Sequence, residues 1–131
     1  MTTRIAFIVD EIFEDSEFRV PFEQVKKAGY EPVVVGLEAG KRIDGKKGKE
    51  SIVTDVSIED VSPNEFAGLV IPGGYSPDKI RTNRRMVEFT RFIFESGKPV
   101  AAICHAGWML AEADILRGKT VTSWPSIKTD L

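Results

Sequence analysis

Cysteine and histidine each occur once among the 131 residues of this chain, and they are neighbours, Cys104 and His105. An apolar run over residues 100–103 leads into the pair, and apolar residues at helical spacing follow it. This pattern predicts a strand-to-helix corner with a nucleophile at its tip, which is the geometry of hydrolase elbows. Free cysteine is also a common buried residue, so a purely structural Cys104 is the competing interpretation.

A thiol at such a corner has possible chemical partners elsewhere in the sequence. At the start of a helix, free backbone N–H groups would stabilise the Cys104 thiolate and lower the pKa of the thiol. Gly73 and Gly74 end another apolar run, where they would donate N–H groups to an oxyanion or simply form a tight turn. His105 would assist only if the corner aims it at the thiol, because adjacent residues on a helix do not face each other.

Acidic residues follow the first apolar run, among them Glu14 and Glu17. A carboxylate from this group could contact the thiol, but an ionised carboxylate would oppose formation of the thiolate. The carboxyl group would therefore be protonated, or it would act as a base on the substrate. Acidic residues are also common in the first turn of a helix, and this is the competing interpretation for each of them.

The order of apolar patterns predicts a single α/β domain over residues 1–131, doubly wound, with a mostly parallel sheet and helices on both faces. Solid apolar runs, typical of buried parallel strands, occupy residues 4–9, 31–37, 68–72 and 100–103. Helical spacing predicts one helix over residues 15–28, with Pro21 at the first turn or at a kink, and one long helix over residues 78–96. Shorter predicted features are a loop or hairpin at 38–50, a strand at 51–56, a capping box at 62–65 and a strand at 120–122.

Ligands bind beyond the carboxyl ends of parallel strands, so the acids, the two glycines and the Cys-His pair are expected to meet at one edge of the sheet. A response-regulator receiver is excluded, because its acceptor Asp would end the central strand, where Gly73 and Gly74 follow Pro72. A glutamine amidotransferase would take a histidine from further down the chain, and none follows His105. No GxGxxG pattern follows the first strand, so a dinucleotide site is not predicted.

Charge and composition narrow the functional class further. A net charge of -2 and a pI of about 5.5 argue against a general nucleic-acid binder, and the basic run at 41–49 is interpreted as a solvated hairpin. No apolar run is long enough to cross a bilayer, and the N-terminus has no signal-peptide pattern. A lone cysteine cannot form an internal disulfide, which favours the reducing cytoplasm. A helical pattern at 126–131 stops after about one turn, which predicts that the protein is truncated there.

Five blocks in this order resemble the ThiJ/PfpI superfamily, most closely its branch of PfpI-type intracellular proteases, general stress proteins and protein deglycases. The blocks are residues 13–18 (FEDSEF), 69–74 (LVIPGG), 76–78 (SPD), 97–105 (GKPVAAICH) and 116–118 (LRG). The resemblance implies a flavodoxin-like fold, which agrees with the independent prediction from the apolar runs.

The resemblance also implies catalytic roles by position. Cys104 is similar to the family nucleophile, and Glu17 is similar to the carboxylic acid that hydrogen-bonds the thiol in its protonated form. Glu14 matches a second acid at the mouth of the pocket. His105 matches a histidine that, in PfpI-type oligomers, meets a glutamate of a neighbouring subunit at the position of Asp78.

A substrate pocket is implied by the same comparison. Gly74 and the N–H of His105 would form the oxyanion-type pocket, with Gly73 beside them. Trp124 stands where relatives often carry tyrosine or histidine, so polar assistance from that position would be lost or changed.

Three hypotheses follow from the resemblance. The first is an enzyme without metal or organic cofactor that acts on reactive carbonyls in a stress response, of the glyoxalase III or protein deglycase kind, in which Cys104 forms a hemithioacetal and Glu17 shuttles a proton. The second is an intracellular cysteine peptidase that uses Cys104, His105 and Asp78 across a subunit boundary. The third is a non-enzymatic redox sensor or holdase with an oxidisable Cys104. The expected partners are a small reactive carbonyl or a glycated protein and further copies of the chain in a homodimer or larger homo-oligomer, without nucleic acid or membrane.

Overall fold

A computed structural model describes residues 3–116, and a parallel sheet of five strands forms its centre. The strands are β1 (Arg4–Ile8), β2 (Glu31–Gly36), β3 (Arg42–Asp44), β4 (Ser51–Val53), β5 (Val56–Ser57), β6 (Gly68–Ile71) and β7 (Val100–Ala102). β3 and β4 form a separate hairpin, and the other five strands form the main sheet. The helices are α1 (Asp15–Lys27), α2 (Ser76–Ile80), α3 (Arg84–Glu95) and α4 (Gly107–Glu112). The order of the main sheet is β5-β2-β1-β6-β7, with every pairing parallel, which confirms the predicted flavodoxin-like class.

Alternate residues of the central strands face two separate cores, because successive side chains of a strand point to opposite faces of the sheet. On one face, Phe7 packs with Phe18 of α1, and the β3–β4 hairpin covers the same face through Ile43. On the other face, the buried side chains of β1 pack against α2, α3 and α4. The helices therefore lie on both faces, and the strand ends are left open between the two layers.

From β1 the chain continues to β2 on one side of the sheet, and from β6 it continues to β7 on the other side. The gap between β1 and β6 is therefore the switch point of the sheet. β1 pairs with β2 on one side and with β6 on the other. In open α/β sheets such a switch point leaves a crevice at the carboxyl ends of the strands. The loop after β1, the turn after β6 and the corner after β7 all border this crevice.

The prediction of one long helix over residues 78–96 is wrong, because the structure divides it into α2 and α3. Asn83 lies between them with an extended backbone, and its side chain accepts a hydrogen bond of 3.0 Å from Met86 N. An asparagine that caps the first turn of a helix starts a new helix, whatever the apolar spacing on either side of it.

The single strand predicted at residues 51–56 is also divided. β4 pairs antiparallel with β3, whereas β5 pairs parallel with β2 at the edge of the main sheet. Asp55 lies between the two strands, and its carboxylate accepts a hydrogen bond of 2.8 Å from Val34 N. This side chain-to-backbone bond directs the chain from the hairpin back to the sheet.

The remaining predictions about local structure have different outcomes. Ser62 and Glu65 form the predicted capping box. Pro21 lies inside α1, beyond its first turn, so the first of its two predicted places is wrong and the kink stays a prediction. The strand predicted at 120–122 lies outside the described residues. Within residues 3–116, no helix combines the length and the apolar composition that crossing a membrane requires.

Candidate active site

A pocket of about 400 Å³ lies at the carboxyl edge of the sheet. It is lined by Glu14, Glu17, Lys46, Gly74, Tyr75, Cys104, His105 and Trp108. The structure therefore brings together the acids after β1, the turn after β6 and the corner after β7, which lie far apart in the sequence. A volume of this size is in the range of pockets that hold small organic molecules, roughly 300–1,000 Å³.

Cys104 stands at the corner between β7 and α4 with a left-handed backbone, φ +58°. A non-glycine residue in this conformation stores roughly 1–3 kcal/mol, and such residues cluster at active sites. A short 3-10 turn from Cys104 to Ala106 follows, and α4 begins at Gly107. The corner has the geometry of a nucleophile elbow, with the thiol presented to the pocket.

Glu17 reaches the same corner from the first turn of α1, where it accepts a hydrogen bond of 3.0 Å from Gly73 N at Oε1. Burial raises the pKa of the Glu17 carboxyl, and the charge of Glu14 raises it further, against the lowering effect of the Gly73 hydrogen bond. A carboxyl group with a raised pKa is suited to exchange protons near neutral pH.

Gly73 lies between the acid and the thiol. A Cβ atom at this position would collide with Glu17 Oε1, and it would lie 3.0 Å from the Cβ of Cys104. Only a residue without a side chain lets the carboxyl group and the thiol approach the same stretch of backbone.

Gly74 joins the turn after β6 to the loop after β1. Its φ is +82°, and a Cβ atom there would lie 2.5 Å from Glu14 N and 2.7 Å from Ile12 O. Hydrogen bonds from Glu14 N to Gly73 O and from Tyr75 N to Ile12 O, of 3.0 and 2.8 Å, hold the two segments together. The tight-turn interpretation of the two glycines thus holds, while Gly74 also lines the pocket.

The expectation that the corner lowers the pKa of Cys104 is wrong. Burial raises the pKa of the thiol, the charge of Glu17 raises it further, and the N–H of His105 opposes these effects. α4 is short, and a 3-10 turn separates it from the strand, so Cys104 does not lie directly at the start of an α-helix. Cys104 is therefore mainly in the thiol form at neutral pH.

His105 is closer to the thiol than its place in the sequence suggests. Its Nδ1 lies 3.4 Å from Cys104 Sγ, because the 3-10 turn aims the two side chains toward each other. Burial lowers the pKa of the imidazole, and the charge of Lys46 lowers it further, so the ring is neutral at neutral pH. The ring also packs against Trp108 with 5.0 Å between ring centroids.

Glu14 is held by two lysines from the turn of the β3–β4 hairpin. Lys46 Nζ lies 2.9 Å from Glu14 Oε2, and Lys47 Nζ lies 3.2 Å from Oε1, as a charge contact rather than a hydrogen bond. The Lys46 ammonium lowers the pKa of the Glu14 carboxyl against the opposing effect of burial, and Lys47 lowers it further. Glu14 is therefore a carboxylate at neutral pH, and the two acids of the pocket have pKa values shifted in opposite directions.

The interpretation of the basic run at 41–49 as a solvated hairpin is only half right. The hairpin exists, but its turn forms part of the pocket wall through Lys46. Asp15 holds this turn, since its buried carboxylate accepts hydrogen bonds of 2.9 to 3.0 Å from three backbone N–H groups. The sequence contains a signal for this contact between the hairpin turn and the pocket, because the acidic residues after β1 and the basic run have opposite charges.

Among the described residues, two predicted site residues, Gly73 and Asp78, are not among those that line this pocket. Asp78 lies on α2 with its side chain 54% exposed, and its carboxylate pairs with Arg81 at 3.1 Å. Its role depends on a neighbouring subunit and stays a prediction. Trp124 lies outside the described residues. Trp108 and Tyr75, which sequence reasoning missed, line the pocket instead, close in sequence to Cys104 and Gly74 respectively.

Comparison with known proteins places the whole chain in a family. The profile of the DJ-1/PfpI family matches residues 3–131. Protein/nucleic acid deglycase 2 of Escherichia coli (strain K12) is 45% identical over 131 residues, which are 100% of this chain and 76% of that protein. YraA of Bacillus subtilis (strain 168), named as a candidate cysteine protease, is 44% identical over 131 residues, 100% of this chain and 77% of that protein.

A solved structure shares both the fold and much of the sequence. It is a two-domain protein from Anabaena variabilis with DJ-1/ThiJ/PfpI-like and ferritin-like domains, and it matches with a TM-score of 0.95 at 39% identity. The match covers 98% of this chain and 37% of that one. The profile, the relatives and the fold agree, and the chain belongs to the DJ-1/PfpI family.

Proposed function

We propose that this protein is a cysteine-dependent enzyme that acts on reactive carbonyl compounds, of the glyoxalase III or protein deglycase kind. The observation that carries the proposal is the pairing of Cys104 and Glu17 on either side of Gly73 in one pocket. Both groups have raised pKa values, so each is ready to hold or release a proton rather than to stay ionised.

The first step joins the thiol to the aldehyde carbon of the substrate. Cys104 Sγ forms a bond to that carbon, and the thiol proton passes by way of Glu17 to the carbonyl oxygen, which gives a hemithioacetal. No charge needs to build up on the sulfur in advance, which agrees with a thiol of raised pKa. The carbonyl oxygen would lie near the backbone N–H groups of the corner.

The second step moves a proton between the two carbonyl carbons of a 2-oxo aldehyde. Glu17 takes the proton from the aldehyde-derived carbon and returns it to the neighbouring ketone carbon, while the hydroxyl proton of the hemithioacetal passes to the former ketone oxygen, which leaves a thioester of a 2-hydroxy acid. Water then cleaves the thioester and restores the thiol. For methylglyoxal the sum is methylglyoxal plus water to lactate, with the aldehyde carbon oxidised and the ketone carbon reduced, so no external electron carrier takes part.

The test is formation of lactate from methylglyoxal without glutathione. We expect Cys104→Ala and Glu17→Gln each to abolish turnover, and Glu23→Gln on the exposed face of the same helix to behave as wild type. Full activity of Glu17→Gln would refute the mechanism. An independent measurement is alkylation of Cys104 across pH, which should show a lower thiol pKa in Glu17→Gln, because the charge that raises it is gone.

Deglycase and glyoxalase activity differ in whether the enzyme acts on the adduct itself or on the free aldehyde that the adduct releases. A preformed adduct of methylglyoxal with a thiol or an amine decays spontaneously at a fixed rate. If the enzyme acts on the adduct itself, decay should accelerate with enzyme concentration; if it acts only on free aldehyde, the rate should level off at the spontaneous rate of release.

A cysteine peptidase is the second candidate, and the distance of 3.4 Å between Cys104 Sγ and His105 Nδ1 favours it. The raised pKa of the thiol opposes it, because peptidases rely on a preformed thiolate. This hypothesis assigns Asp78 to a neighbouring subunit, so it requires a homo-oligomer. A strictly monomeric protein that still cleaved peptides would contradict it. The raised pKa also opposes the redox-sensor hypothesis, since oxidation follows thiolate character.

A further inference from the structure

Lys46 is the single cation that lines the active-site pocket within the described part of the chain. Its side chain is 37% exposed, whereas the Glu14 side chain beside it is 11% exposed. The ammonium group of a lysine has three hydrogen-bond donors, and one carboxylate contact does not exhaust them. A positive group therefore lines the pocket beside the less exposed carboxylate of Glu14.

Within the described residues, Lys46 and Lys47 share one carboxylate as their ion-pair partner, Glu14. Glu14, with one negative charge, faces the two positive charges of Lys46 and Lys47. The nearby carboxylate of Asp15 is satisfied by backbone N–H groups of the turn instead of by lysine side chains. Arg81, the cation near Trp108, has its charge matched by Asp78.

Hydrogen bonds of the turn fix the backbone at Lys46, and the contact with Glu14 positions its ammonium group before any ligand arrives. Lys46 N donates a hydrogen bond of 2.8 Å to Phe13 O, and Asp15 anchors the residues that follow. A Cβ atom at Gly45 would collide with the Asp15 carboxylate, which shows how tightly this turn is packed. A preorganised cation costs little entropy when it binds an anion.

The pocket is also much larger than methylglyoxal requires, at about 400 Å³. A substrate that fills it would extend from the thiol toward the hairpin turn. We propose that Lys46 selects 2-oxo aldehydes that carry a carboxylate a short carbon chain away from the reacting carbonyl groups. This inference rests on the proposed function and adds to it the chemical class of the substrate.

The simplest probe of this class is 4,5-dioxopentanoate. Cys104 would add to its aldehyde carbon, and Glu17 would move the proton to the neighbouring ketone carbon, as with methylglyoxal. Water then releases the product, and the sum is 4,5-dioxopentanoate plus water to 2-hydroxyglutarate. The aldehyde carbon is oxidised and the ketone carbon is reduced, so the reaction balances without a further reactant.

The experiment compares 4,5-dioxopentanoate with 2-oxohexanal, a neutral 2-oxo aldehyde of similar length. We expect the wild-type protein to have the higher kcat/KM for the acid, with an advantage that falls as salt concentration rises. Lys46→Met should reduce the ratio of the two kcat/KM values about tenfold, the size of one charge-assisted hydrogen bond. Lys49→Met, an exposed lysine of the same turn that does not line the pocket, should leave the ratio unchanged.

An unchanged ratio in Lys46→Met would overturn the inference, because Lys46 would then act on the reaction in general and not on the carboxylate. A second measurement separates this failure from failure of the proposed function. We expect 2-hydroxyglutarate to slow alkylation of Cys104 in the wild-type protein and much less in Lys46→Met. If no variant turned over either aldehyde but this difference in protection remained, the proposed function would fall and the anion site would stand. Equal protection in both proteins would refute the anion site.

Discussion

The substitution Gly73→Ala should separate the acid from the thiol without removing either group. The added Cβ would collide with Glu17 Oε1 and would lie 2.8 Å from Ile103 O and 3.0 Å from the Cβ of Cys104. Ile103 O belongs to the backbone and the Cβ of Cys104 belongs to the elbow, so neither atom can move without shifting the end of β7. The flexible carboxyl group of Glu17 is therefore the neighbour that moves most easily, and the approach to Ile103 O requires a small backbone shift as well.

The magnitude follows from the lost contacts. Overpacking of a tight site costs about 1–3 kcal/mol of the free energy of unfolding. If Glu17 moves, the hydrogen bond from Gly73 N, worth about 1.5–3 kcal/mol when the acceptor is charged, is also weakened. A catalytic group displaced by about 1 Å costs roughly a hundredfold in rate, so we expect kcat for methylglyoxal to fall by about that factor.

The assay combines urea unfolding, turnover of methylglyoxal and alkylation of Cys104 across pH. Gly68→Ala is the matched control, because its Cβ would lie 3.3 Å from Pro99 O, at the other end of β6. We expect this control to lose stability but to keep the kcat of its folded fraction. In Gly73→Ala the pKa of the thiol should also fall, since the charge of Glu17 is further away. Wild-type kcat together with an unchanged thiol pKa in Gly73→Ala would refute the reasoning.

Two further predictions concern the stability of the site. Asp15→Asn should lower the free energy of unfolding at neutral pH by about 1.5–3 kcal/mol or more, because a charged acceptor of three backbone N–H groups is lost. Burial alone would raise the pKa of Asp15, but the backbone hydrogen bonds lower it below 3.8, so only the wild-type protein loses this stability as pH falls through the lowered pKa. Cys104→Gly should be about 0.5–1 kcal/mol more stable than Cys104→Ala, because glycine adopts φ +58° without strain.

Each of these predictions has its own control, measured by urea unfolding. Asp60→Asn, on an exposed turn, should leave stability and its pH dependence unchanged, and equal behaviour of Asp15→Asn would contradict the anchoring role. Ala111→Gly, in the right-handed helix α4, should lose about 1 kcal/mol. A loss of the same sign on going from alanine to glycine at position 104 would show that the corner is not strained.

Much of the fold is predictable because its determinants are local. A strand buried on both faces needs a solid apolar run, so β1, β2 and β6 are visible in the sequence. β7 has the same pattern, although Ala101 is exposed. The division of residues 78–96 is local too, but it depends on a single capping side chain, Asn83, that apolar spacing does not register. Periodicity reports which face of a helix is buried, and it says little about where a helix is interrupted.

The candidate nucleophile, Cys104 at a strand-to-helix corner, could be inferred from residue types and their order along the chain. The protonation of that group could not, because the pKa of the thiol depends on burial and on the charge of Glu17, which only folding brings to the same pocket. The same holds for Lys46, whose place in the pocket wall depends on how Asp15 folds the hairpin turn against α1. Sequence order determines which strand ends carry chemistry. Distance and dielectric environment determine what that chemistry is, and both are set by packing between segments that are remote in the chain.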